Sequence, residues 1–232
     1  MGQGVAVKFR AGLAVAAISV ALLPGCGSEK SEGSPLGQAV GAVAKSTIGM
    51  VTARSKGTVV AAPAPVTRAD LEKFGLPILR ARVAARGADA FVTMADTKGN
   101  VVTWATTDGS TFTLRDGVLI QTRGLGPDLM SAQAPSLADL QADGGTHRRI
   151  YYFLGEDDQP TRRTYDCTVF ITGGETIEVF SRAHRVKRVT ETCVRPQGAI
   201  TNEFWIEGAA IRKSRQLASG GVGFIEFERV ID

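Results

Sequence analysis

Three cysteines and two histidines are the side chains with the richest chemistry in the 232-residue chain: Cys26, Cys167, Cys193, His147 and His184. A reactive thiolate needs a neighbouring base or cation, and only the two histidines offer an imidazole. Two histidines do not make a zinc site by themselves, and neither has a second ligand at helical spacing. No G-x-S-x-G, Walker A loop, G-x-G-x-x-G after a strand, or C-x-x-C occurs. Glu226 and Glu228 share a strand face, but two carboxylates need a groove between them before they resemble a glycosidase pair. The reading is therefore of a chain with no catalytic residues, no metal site and no cofactor, and of a non-enzyme.

Cys26 is explained by what precedes it. Lys8 and Arg10 form a basic flank without an acid, and Ala11 to Leu23 is an uncharged apolar run, too short for a bilayer span and right for a signal-peptide core. The run ends in Leu23-Pro24-Gly25-Cys26. This resembles the bacterial lipoprotein cleavage box, in which the cysteine thiol is joined to diacylglycerol and the leader is cut before it. Two or more fatty chains at one point, each worth about 0.8 kcal/mol per buried CH₂, make a lasting anchor to membrane lipid. Gly27, in place of aspartate after the cysteine, implies by the same resemblance the outer membrane, with the mature chain facing the periplasm.

Cys167 and Cys193 then remain as an even pair in an oxidising space, 26 residues apart. A bridge between them would contribute about 3.5 kcal/mol on the chain-entropy model. Gly173-Gly174 reads as a turn, which would place a further strand between the two cysteine-bearing segments. Removing the leader with Lys8 and Arg10 leaves 25 basic against 23 acidic residues, a net charge of +2. That is too little to point to nucleic acid.

The elements that position these residues follow from pattern. Residues 1 to 25 are the signal peptide. Residues 26 to 66 read as a tether: a Gly/Ser-rich start, a short amphipathic stretch through Leu36, Val40, Val43, Ile48 and Val51, and an extended Ala-Pro run. Residues 67 to 232 are one folded domain, which Thr67 and Asp70 open with a capping box on a short helix. From Leu79 onward short strands alternate with turns such as Asp108-Gly109 and Asp116-Gly117. Ser136 with Asp139 starts a second short helix. About a dozen strands exceed what an open twisted sheet carries, so the fold class is mainly β: a large antiparallel barrel-like or two-layer sheet with a few short helices. Arg and Glu on both faces of strands such as 226–229 leave no lipid-facing band for a membrane barrel.

Arginine outnumbers lysine by 19 to 8. Arg182, His184, Arg185, Lys187 and Arg188 lie on one strand before Cys193. Arginine forks match carboxylates, so these residues are either a surface for the uronic-acid groups of an acidic polysaccharide or are paired across strands with Glu175, Glu178 and Glu191. Trp104 is a candidate for sugar stacking or for the core. Arg123 and Asp128 form either a structural pair or a partner surface.

The stretch 101–132 carries a tryptophan-bearing strand (Trp104), a D-G turn, the hairpin Thr113 to Gly117, and the run Thr122 to Ser131. It resembles the YjbF/GfcB family of outer-membrane lipoproteins, as do the lipobox, the T-R-A-D-L helix, the cysteine pair and the β-rich C-terminal half. The resemblance implies a role in exopolysaccharide or group 4 capsule production, beside an outer-membrane β-barrel exporter of the YjbH/GfcD type; the arginine-rich strand makes polysaccharide a second candidate partner. It supplies no catalytic residues.

Overall fold

The computed structural model describes residues 65–155 and 159–232. The leader, Cys26 and almost all of the tether lie outside the described residues. Among the described residues twelve strands form one antiparallel sheet bent into a nearly closed barrel, with two short α-helices.

The first helix, α1 (Arg68–Glu72), starts with Thr67 and Asp70 satisfying each other's backbone N–H, and Leu71 is its buried anchor. β1 (Ile78–Val83), β2 (Ala88–Lys98), β3 (Val101–Ala105), β4 (Thr111–Arg115) and β5 (Val118–Arg123) follow as a meander. Asp116 and Gly117 both take positive φ (50° and 85°) between β4 and β5, the geometry that a two-residue hairpin turn demands. β6 (Leu129–Gln133) leads to α2 (Leu137–Leu140), capped by Ser136 and Asp139. The second meander is β7 (Thr146–Leu154), β8 (Pro160–Val179), β9 (Arg182–Arg195), β10 (Gly198–Glu207), β11 (Ala210–Ser219) and β12 (Gly223–Ile231). β12 pairs with β1, which joins the two meanders and leaves β5 and β6 as the ends of the sheet.

Two sequence expectations change. Gly173-Gly174 is no turn: β8 runs through it with a register shift between Ile171 and Gly173, where Gly173 (φ 137°) takes a conformation that side chains resist. The turn falls instead at Phe180 and Ser181, both at positive φ. No strand therefore separates the cysteine-bearing segments; Cys167 and Cys193 face each other on adjacent strands and are disulfide-bonded. The second change is β6, a strand in a stretch to which the pattern assigned no element.

Inward-facing residues of both meanders fill the barrel, among them Trp104, Phe112, Phe227, Tyr151 and Tyr165. The outer face carries cross-strand rows of alternating charge. One runs Asp89, Arg82, Glu226, Arg215, Glu203 and the next runs Arg80, Glu228, Lys213, Trp205, Arg188. Arg82–Glu226 (3.2 Å) and Lys213–Glu228 (3.3 Å) are ion pairs within them. Such a surface suits water rather than lipid.

Candidate functional site

Three clusters of polar side chains stand out. The first is inside the barrel. The Glu191 carboxylate, 0% exposed, accepts two bonds from the Arg149 guanidinium (2.9 Å each), one from His147 Nε2 (2.6 Å) and one from Asn202 Nδ2 (2.7 Å). Asn202 in turn accepts from the Leu217 N–H. Burial alone would push the Glu191 carboxyl up; the Arg149 charge and these hydrogen bonds outweigh it and hold the group at about 2. Burial raises the Tyr151 phenol, whose hydroxyl beside this cluster makes no hydrogen bond. His147, Glu191 and Cys167 place ligand-type atoms within 4.8 Å of one another, but the Cys167 sulfur is bonded to Cys193 and Arg149 occupies the carboxylate. The arrangement ties β7, β9, β10 and β11 together and offers no free thiolate to a metal.

The second cluster joins the two ends of the sheet. The strands β5 and β6 meet without a backbone ladder, and side chains take its place. Thr122 Oγ1 accepts from Leu129 N–H (2.9 Å) and donates to Asp128 (2.7 Å). Asp128 also accepts from the Gly124 and Leu125 N–H groups. Arg123 donates to the Thr122, Leu129 and Met130 carbonyls. Arg123 and Asp128 therefore do not pair with each other; each is used on the seam.

The third cluster is a groove of about 660 Å³ between the β8–β9 hairpin, the end of β10 and α2. The hairpin extends past the barrel wall, and its tip is pinned where Phe180 meets Phe91 edge-on (5.3 Å) and Arg68 reaches the Val179 carbonyl. On the other side, buried Leu140 seats α2, and Gln141 donates to the Gly208 carbonyl (2.7 Å). Asp143 captures the Ile171 N–H beside the register shift of β8 (2.8 Å). Ile171 contributes apolar surface to the groove above buried Val189 and Ile206, with Glu175, Arg185 and Lys187 among its lining residues.

The cationic strand is divided by this geometry. Arg182 lies 3.8 Å from Asp232, and Arg188 pairs with Glu203 while its guanidinium sits over the Trp205 ring. Two of the three acids expected to neutralise the strand are engaged elsewhere: Glu175 accepts from Trp205 Nε1 (2.7 Å), and Glu191 is inside the barrel, while Glu178 stands opposite Ala183. Trp104, 2% exposed, lines a separate 210 Å³ cavity with Phe227 and Leu114 and presents no ring to the outer surface. The partner that sequence reasoning missed for Glu191 is Arg149; the only available signal was an arginine at an inward position of an alternating strand.

Residues 42–230 match the family model described as YjbF, group 4 capsule polysaccharide lipoprotein GfcB. The chain belongs to the YjbF family. No curated protein matches it. Among solved structures it is similar to the hypothetical lipoprotein YmcC from Escherichia coli K12, with a TM-score of 0.64 and 22% identity over 77% of this chain and 98% of that one. At that identity the likeness speaks for the fold. The family match independently carries the association with capsule polysaccharide.

Proposed function

We propose that this YjbF-family chain is a non-catalytic lipoprotein, anchored in the outer membrane through Cys26 and facing the periplasm, that assists exopolysaccharide or capsule production by docking on an outer-membrane β-barrel exporter. The observation that carries the reading is the family match, which spans the described barrel from end to end. The cysteine arithmetic supports it: a lipid on Cys26 leaves Cys167 and Cys193 as the pair that is bonded in the barrel. In this reading residues 1–25 are removed, residues 26–66 are the tether, and residues 67–232 are the domain that meets the partner. The polar clusters support a non-catalytic role, because the buried one is consumed in holding strands together.

The test is cross-linking of the full, tagged chain in outer membranes of its own host. A cross-linked β-barrel exporter, absent when Cys26→Ser releases the chain from the membrane, is the expected result. Recovery of the chain alone from membranes that contain the exporter would overturn docking.

A further inference from the structure

The groove between the β8–β9 hairpin and α2 brings two cations of one strand, Arg185 and Lys187, onto a concave surface. β9 carries five cations, and three have partners: Arg182 with Asp232, Arg188 with Glu203, and Arg195 with Gln197. Among the described residues Arg185 and Lys187 have no carboxylate within ion-pair distance, and both line the groove. Glu175, which also lines the groove, is held by the Trp205 indole and not by either cation. With Glu175 the charged lining residues still sum to one net positive charge, and two cations on one concave wall favour an anion there.

We infer that this groove is a binding subsite for a carboxylate-bearing oligosaccharide, with Arg185 and Lys187 as its anion contacts. The chemistry fits on three counts. A guanidinium pairs with a carboxylate through two parallel N–H bonds, and an ammonium adds a second contact of the same sign. Gln141, Thr176 and backbone at Gly174 and Gly208 provide polar surface for hydroxyl groups, while half-buried Ile171 provides surface for the C–H face of a sugar ring. The volume, about 660 Å³, lies within the roughly 300–1,000 Å³ of sites that hold small ligands. Gly174 keeps the wall open: a Cβ there would come no closer than 3.8 Å to its nearest neighbour, the Val186 carbonyl, so a larger side chain has room to enter. The inference rests on the proposed capsule-related role and names what that role would handle.

Titration calorimetry of the full chain in detergent, with tetragalacturonate as probe and maltotetraose as neutral control, tests the subsite. Tetragalacturonate should bind, more weakly as salt rises, and maltotetraose should not. Arg185→Ala with Lys187→Ala should weaken binding by about tenfold or more, as expected for the loss of charge-assisted hydrogen bonds. Gly174→Leu, which leaves every charge in place, should weaken it comparably. Because both cations lack ion-pair partners, the double variant should keep its melting temperature. No binding of tetragalacturonate, or equal affinity in wild type and both variants, would overturn the inference. The same variants, returned to a host lacking the gene, separate the two ideas. Normal polymer in the deletion strain defeats the capsule role itself; restoration by wild type and double variant alike, with no tetragalacturonate binding, defeats only the subsite.

Discussion

Arg149 and Arg185 are the same residue in opposite circumstances. Arg149 is 1% exposed, and its guanidinium is matched to a carboxylate that also serves His147 and Asn202. Arg185 sits on a groove wall that Glu175 also lines, and among the described residues it forms no ion pair. A buried ion pair is a poor source of net stability, since desolvation of both charges offsets most of their attraction, but removing one member leaves the other stranded. An exposed unpaired arginine contributes little to folding and keeps its hydrogen-bonding capacity for a ligand. The difference separates the part of the molecule that specifies the barrel from the part available for recognition.

The largest effect should come from stranding the buried guanidinium. Glu191→Ala should destabilise the domain by about 3–5 kcal/mol, read as a lower urea midpoint. Replacing both partners, Arg149→Met with Glu191→Leu, should cost much less than the sum of the single changes, which a double-mutant cycle reports. Additive losses would mean that the two side chains do not act as a pair. The pH dependence follows with a fixed sign. The carboxyl of Glu191 is lowered from 4.5 to about 2 on folding, so its contribution is present above about pH 4.5 and is lost as pH falls toward 2. The stability gap between wild type and Glu191→Gln should therefore narrow between pH 5 and pH 2, in urea titrations at each pH, and a constant gap would contradict the assignment.

The seam between β5 and β6 occupies the middle ground, polar like the groove but spent on structure like the core. Asp128→Ala removes the acceptor of the Gly124 and Leu125 N–H groups and of the Thr122 hydroxyl. A loss of about 1–3 kcal/mol is expected, with faster amide exchange in 118–133 than elsewhere in the sheet. Uniform acceleration across all twelve strands would show that the barrel opens as one unit and not at its seam.

How legible these regions were in the sequence follows the range of the interactions that make them. Capping boxes and Asp-Gly hairpins are written within a few residues, so Thr67–Asp70, Ser136–Asp139 and the turn at Asp116-Gly117 could be read directly. The β8–β9 hairpin could not. Its turn uses Phe180 and Ser181, residues that local rules disfavour at positive φ, and Phe91 from the other meander helps hold Phe180 there. A glycine pair seven residues earlier looked like the turn and was a bulge. Arg149–Glu191 joins positions 42 residues apart, beyond any local pattern. The cationic strand was visible as composition, but only the structure divides Arg185 and Lys187 from the partnered Arg182 and Arg188.

The smallest effect on stability is expected where recognition is proposed. Arg185→Ala removes an exposed side chain with no acid partner, so the change in unfolding free energy should lie within about 0.5 kcal/mol. Its sign is informative. Lys187 lines the same groove with the same charge, and relieving their repulsion should leave the domain equally stable or slightly more stable at low salt, with the difference fading as salt screens both charges. A loss above 1 kcal/mol would place Arg185 with Arg149 as a structural residue, and the distinction between the two arginines would fall. A neutral or slightly stabilising change is what a surface held ready for an anionic partner predicts, because contacts that a ligand is to supply are missing from the folded chain alone.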